Sequence, residues 1–208
     1  MPPSSSAIVQ DISALQEAGR ASLAYFYFDL RDEKKKDLCG ALASILIQLS
    51  ARSGSFCEIL SHLHVAHDDG AHQPSTSTMI ACLKEMLALP EQGPVFIILD
   101  ALDECPNTSG IPSARDEVLD FLKDLVSVQF LDVHICVTSR PEMDIRTALE
   151  PLALLPLSIH DQEGQKEDIE GYIEYGVTSM RIWSKEDKEE DKERQWVIDT
   201  LSEKADGM

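Results

Sequence analysis

The sequence predicts an α/β fold: a mainly parallel sheet sandwiched between helices. Two observations carry that expectation. The segments "AYFYF", "VFIIL" and "HICVT" are apolar throughout rather than alternating, as strands are when both faces of a parallel sheet are covered. Between them lie stretches whose apolar residues recur at helical spacing. With 208 residues, 43% of them hydrophobic, the chain has enough material for one ordinary core and a small appendage. No internal repeat breaks the pattern.

The elements follow in order. From Ser6 to Ala18, Ile8, Ile12 and Leu15 lie at helical spacing, and Gly19 is a fitting C-terminal stop. "ASLAYFYFDL" reads as an aromatic-rich buried strand ending at Asp29, and "RDEKKKD" as a charged loop. Asp37 is placed to cap the next helix, whose stripe is Leu38, Leu42, Ile45, Leu46 and Leu49 before Ser53-Gly54 stops it. A shorter helix is expected over Ser55 to Val65, then a polar loop, then a helix over Thr78 to Leu89. Val95 to Leu99 is a strand, "PNTSGIPSARDE" a loop, and Glu117 to Val128 an amphipathic helix. "DVHICVTSRP" is a further strand stopped by Pro141. "LALLPLSIHD" is a last strand, weakened by Pro156. From Glu167 the chain is charged and helical, with Ile169, Tyr172 and Ile173 expected to face inward.

Charge and cysteine usage narrow the function classes. The formal net charge is -19, from 18 Lys and Arg against 37 Asp and Glu. So acidic a surface repels phosphate backbones and argues against nucleic acid or an anionic membrane as partner. Five scattered cysteines with no C-x-x-C pair suit free thiols in a reducing, cytoplasmic setting. "MPPSSSAIVQD" lacks the charged start and apolar core of a signal peptide, and no apolar run is long enough to span a bilayer.

The informative stretch is "PVFIILDALDEC". Burying an unpaired carboxylate is costly, and here an apolar strand runs into Asp100, followed by Asp103 and Glu104. In open α/β sheets ligands collect at the carboxyl ends of strands, where Asp29 and Ser139-Arg140 are also expected. A carboxylate there suits Mg²⁺, which takes hard oxygen ligands and keeps several waters. An acid a few residues on can orient or deprotonate a water attacking a phosphate. An arginine after the neighbouring strand can sense the phosphate charge. An apolar strand ending in D-x-x-D-E, with "VTSRP" one helix later, therefore reads as the Walker B element of a P-loop NTPase. The plainer alternatives are acids that cap the following loop and a surface arginine.

The order "AYFYFDLRDEKKK", "LASILIQLS", "VFIILDALDEC", "HICVTSRPEMDIR" and "DIEGYI...TLSEKADGM" resembles the NACHT domain of fungal STAND signal-transduction NTPases. These are relatives of the nephrocystin-type N-terminal NTPase module and of NOD-like receptors. The most specific element is "ILDALDEC", with a small residue, Ala101, after the first acid. The resemblance implies a P-loop NTPase-like three-layer sandwich. Residues 1–160 would be a partial core and residues 161–208 a charged helical extension. It also implies an ATP- and Mg²⁺-dependent switch in nonself recognition or programmed cell death, with self-association through the domain. Asp100 would hold Mg²⁺, Asp103 and Glu104 would handle the water, and Arg140 would be the phosphate sensor.

The family's phosphate loop, G-x-x-x-x-G-K-[ST], does not occur in this sequence, where no glycine precedes a lysine. The backbone amides and lysine of that loop provide most of the charge that holds a triphosphate. The expectation is therefore a partial copy lacking the first strand, beginning just after the phosphate cradle and not hydrolysing ATP alone. The family sheet would set that strand beside "HICVT". The competing expectations are a non-enzymatic scaffold with the same shell and a decayed fragment.

Three other features have two readings each. "RDEKKKD" either lies near the nucleotide or is a solvated loop. His64 and His67 could share a helix face, but no further ligand completes a zinc site. Trp183 and Trp196 flank "SKEDKEEDKERQ" and either dock that segment or face a partner.

Overall fold

The computed structural model describes residues 5–51, 53–67, 69–90, 93–108, 112–157, 165–179 and 188–205. The chain divides into two compact units, one spanning Ser5–Leu155 and one containing the chain from Pro156 onward.

In the first unit the elements are α1 (Ser5–Glu17), β1 (Ser22–Tyr27), α2 (Leu38–Ser50), α3 (Gly54–Ala66), α4 (Thr76–Leu87), β2 (Val95–Asp100), α5 (Ala114–Ser127), β3 (Val133–Val137) and α6 (Met143–Leu149). The three strands form one sheet in the order β1-β2-β3. Both pairings are parallel, with Tyr27 opposite Asp100 and Leu99 opposite Val137. Ala24 and Phe26 of β1 and Val95, Ile97 and Leu99 of β2 enter one core with the apolar stripes of α2, α4 and α5. Leu23 and Ile98, of opposite parity along their strands, are also buried, and α1 lies against β1 and β2. This is the α/β sandwich with a parallel sheet that the unbroken apolar runs predict. Each fully buried Leu or Ile contributes roughly 1.5–3 kcal/mol.

Local signals set the helix ends. Gly19 takes φ +67°, and the Gly19 and Arg20 amides donate back to Gln16 and Leu15 at 3.0 and 2.9 Å. That left-handed stop is what a glycine after Ala18 provides. Asp37 caps α2 by accepting from the Gly40 amide at 2.9 Å. Gly40 has a second role: a Cβ there would collide with the Lys34 carbonyl, so the loop of residues 29–36 can lie against the first turn of α2. Helix α5 begins at Ala114, earlier than expected, because Ser113 and Asp116 form a reciprocal capping box.

The two flanks of the sheet differ. Hydrogen bonds of Ser22 and Phe28 to β2 place the odd-numbered residues of β1 on its outer side. There the Gln48 amide closes the flank. The Tyr25 N–H donates to its Oε1 at 3.1 Å, and its Nε2 donates to the Tyr25 carbonyl at 2.7 Å. By the same alternation Val133, Ile135 and Val137 turn their backbone groups away from β2. Those three side chains are only half-buried, whereas Val95, Ile97 and Leu99 in β2 are fully buried.

Several expectations are corrected. α6 was not anticipated. Its inward residue is Ile145, with Ala148 and Leu149 packed against the core at the spacing of a short helix. Leu152–Leu157 forms no strand: a 3-10 turn covers Glu150–Leu152, and Leu154, Leu155 and Leu157 are exposed, in line with the missing amide of Pro156. The rest of that expected strand, residues 158–161, lies outside the described residues. In the second unit α7 (Gln165–Thr178) packs with α8 (Lys188–Ala205). Tyr172 is exposed rather than inward, while Ile173 is half-buried and Val177 buried, one helical turn apart; the Ile169 side chain lies outside the described residues. Trp196 is 68% exposed, and Trp183 lies outside the described residues.

Candidate functional site

The site is built where β2 and β3 end. Asp100 is the last residue of β2, and Thr138 directly follows β3. The Thr138 hydroxyl donates to Asp100 Oδ1 at 2.6 Å and accepts from the Ala101 amide at 3.1 Å. Its backbone completes the seam: Thr138 N–H donates to Leu99 at 2.9 Å, and its carbonyl accepts from Leu102 at 3.0 Å. The sequence reading passed over this threonine in "VTSRP". A hydroxyl next to the expected arginine, just past a buried strand, was the available signal.

After Asp100 the chain reverses at once. Ala101 sits in the left-handed region, φ 55° and ψ 46°, and Leu102–Glu104 form a single 3-10 turn. Leu102 and Cys105 are fully buried and anchor the turn, leaving Asp103 and Glu104 at the strand ends. The Arg140 N–H donates to Asp103 Oδ1 at 3.0 Å, and Arg140 Nε lies 3.4 Å from Asp103 Oδ2. Glu104 Oε2 accepts from the Leu30 amide at 3.2 Å. Asp103 and Arg140 are therefore in contact, while Asp100 and Glu104 follow the same strand end but turn to Thr138 and Leu30. Asp29 joins from the end of β1 but turns to its own loop, where hydrogen bonds from the Arg31 backbone and guanidinium hold its carboxyl below the usual range.

The loop of residues 29–36 touches the acid turn through main-chain groups. Besides the Leu30 amide, the Lys36 carbonyl accepts from Cys105 Sγ at 3.2 Å. Its Lys34 and Lys35 side chains are exposed, so the loop is both near the site and solvated. Burial pushes the Cys105 thiol up to about 12. Burial and then the Asp100 charge raise Cys136 on one side and Tyr27 on the other. The field of Asp100 thus reaches both neighbouring strands.

A residue that the sequence reading missed lies beneath. Arg115, in the first turn of α5, is 8% exposed. It donates through Nη2 to the Asp103 carbonyl at 2.6 Å and through Nε to the Cys105 carbonyl at 2.9 Å. Its Nη1 lies 3.1 Å from Asp144 Oδ2 on α6, which also accepts from Asn107 at 2.9 Å. A cation opposes the dipole at a helix start, and that misplaced charge in "SARDE" was the signal.

The family described as nephrocystin 3, N-terminal, matches residues 4–140, well over half of the chain. The chain belongs to the nephrocystin 3 N-terminal family. No curated protein matches it. In this nephrocystin-type domain the match runs through the whole acid turn and ends at Arg140.

A hydrated Mg²⁺ fits the donor set beside Asp100. A carboxylate and the Thr138 hydroxyl are adjacent hard oxygens, and Asp100 Oδ2 has no hydrogen-bond partner among the described residues. Among the described residues no three His, Cys, Asp or Glu side chains group as a metal set, so the ion would keep water or phosphate in most positions. His64 and His67 do not share a helix face: α3 ends at Ala66, and His67 Nδ1 turns to the Leu63 carbonyl at 2.9 Å. A cavity of about 390 Å³ lies elsewhere, lined by Leu38, Ile80, Phe121 and the acids Glu117, Asp120 and Asp124. The charged residues that line it are all acids. No helix among the described residues is long and apolar enough to cross a membrane.

Proposed function

We propose that this nephrocystin-type domain is a NACHT-like nucleotide switch of a cytoplasmic signalling NTPase of the STAND class, acting in nonself recognition or programmed cell death and self-associating through the domain. The observation that carries the reading is the placement of Asp100, Asp103 and Glu104 after β2 and of Arg140 after β3, with Arg140 on Asp103, at the carboxyl edge of a parallel sheet. Asp100 would hold Mg²⁺, with Thr138 fixing its other oxygen. Bound Mg²⁺ supplies positive charge to the phosphate oxygens of ATP. Asp103 and Glu104 are the candidates to hold and deprotonate water, and the exposed guanidinium of Arg140 is the candidate phosphate sensor.

The sequence contains no phosphate loop, so a triphosphate would need one supplied. This chain by itself is therefore expected not to turn over ATP. The test is binding of a fluorescent ATP analogue to the chain and to Asp100→Ala, with and without Mg²⁺. Mg²⁺-dependent binding that Asp100→Ala abolishes supports the reading. Binding that Asp100→Ala leaves intact overturns the role of Asp100, and a folded chain that binds no nucleotide leaves this chain a scaffold, with nucleotide binding only where a phosphate loop is supplied.

One observation favours a second reading, a non-enzymatic scaffold. Each acid already has one partner from within: Asp100 has Thr138, Asp103 has Arg140, Glu104 has Leu30. Contacts of this kind hold the acids in place without a ligand. Stability that Mg²⁺-ATP leaves unchanged would favour it.

A further inference from the structure

We propose that Arg115 is a positioning residue that aims the acid turn, coupling the place of Asp103 and Glu104 to helix α6. The inference rests on the nucleotide-switch reading for its purpose, but its geometry stands separately. A single-turn 3-10 helix leaves carbonyls without partners at its end. Here two of them, on Asp103 and Cys105, face inward and are taken up by one guanidinium. Those are main-chain oxygens of the segment that carries the acids, so moving Arg115 moves the base of Asp103 and Glu104.

Arg115 is in turn fixed by Asp144, two elements away along the chain. Asp144 sits on α6, four residues after Arg140, whose amide and guanidinium hold the other end of Asp103. The result is a closed circuit: Asp103 carboxylate to Arg140, through α6 to Asp144, to Arg115, and back to the Asp103 carbonyl. A displacement of α6 is transmitted to the acid turn from both ends. Only a planar fork spans this set of acceptors. A lysine keeps the charge but offers one compact ammonium.

The test uses the full chain and residue-resolved amide hydrogen exchange. In Arg115→Lys the Cys105 amide, inside the turn, and the Arg140 amide, on the Asp103 carboxylate, are expected to exchange at least tenfold faster. Ile97, within β2, is expected to keep its protection. Unchanged Cys105 and Arg140, or an equal loss at Ile97, overturns the proposal, since the second pattern marks general destabilisation. If Arg115→Lys does not fold, Asp144→Asn serves. It leaves the arginine in place, and the same local loss at reduced size supports the proposal, while no change overturns it. Mg²⁺-dependent binding of the fluorescent ATP analogue is measured in parallel. Absence of binding in the wild type counts against the nucleotide reading alone, because the exchange arm still decides whether Arg115 sets the turn.

Discussion

Asp103 is held by one residue in two ways: the Arg140 amide donates to Oδ1 at 3.0 Å, and the Arg140 guanidinium approaches Oδ2 at 3.4 Å. The two contacts differ in environment. The Arg140 side chain is 80% exposed, while that of Asp103 is 11% exposed. Solvent screens the ion pair, so Arg140→Gln is expected to cost no more than about 1 kcal/mol. Asp103→Ala also strips the acceptor from the Arg140 amide and is expected to cost about 1–3 kcal/mol. Urea unfolding of the two variants checks the order. Equal losses would mean that the backbone bond contributes nothing.

Ala101 has φ 55°, a conformation that costs an L-residue roughly 1–2 kcal/mol. Glycine adopts it freely. Ala101→Gly is therefore expected to raise the unfolding midpoint and Ala101→Val to lower it sharply. A destabilised glycine variant would show that the alanine methyl packs usefully, contrary to this account.

Gly40 poses the opposite case. It lies in the first turn of α2, where alanine would be favoured by about 1 kcal/mol on helix propensity. The Lys34 carbonyl occupies the space that a Cβ needs. Gly40→Ala is expected to destabilise the domain and to loosen the loop of residues 29–36, seen as faster proteolysis at its lysines. A more stable alanine variant would mean that the loop gives way at no cost.

Hydrogen bonds from the Ser113 backbone and hydroxyl hold the Asp116 carboxyl below its ordinary value of 3.8. A carboxylate depressed in the folded state contributes stability that is complete above its unfolded value and lost as pH falls through the folded one. The stability gap between wild type and Asp116→Ala is therefore expected to be constant at neutral pH and to close below about pH 3.8. Urea midpoints across pH 2–7 measure it. A gap independent of pH would assign the effect to helix propensity instead.

The Cys105 thiol is buried and pushed up to about 12, whereas Cys57 is exposed. Iodoacetamide at pH 8 is expected to label Cys57 in the folded chain and Cys105 only after unfolding. Mass spectrometry of the peptides reads the order directly. Comparable rates at both positions would place the acid turn in an open state.

The strands were legible because burial on both faces writes itself as unbroken apolar runs, and Asp100 stood out as a charge at the end of one. Asp103, Glu104 and Arg140 followed from their spacing after strand ends. What escaped depends on three-dimensional neighbours. Thr138 is an ordinary residue until the parallel register sets it beside Asp100. Arg115 lies in a segment read as loop because the serine-to-aspartate capping box was overlooked. Asp144 belongs to a seven-residue helix, too short to announce a period. The over-read element, the strand from Leu152, had apolar content, but its start is a 3-10 turn and Pro156 withholds an amide from any ladder.

Gln48 gives the sheet a direction. At Tyr25 a side-chain amide imitates a neighbouring strand, while among the described residues Val133, Ile135 and Val137 turn their backbone groups away from β2. In pairing terms the two flanks are unequal. A strand added to this sheet is expected on β3, and loss of the Gln48 amide is expected to free the Tyr25 backbone on the opposite flank.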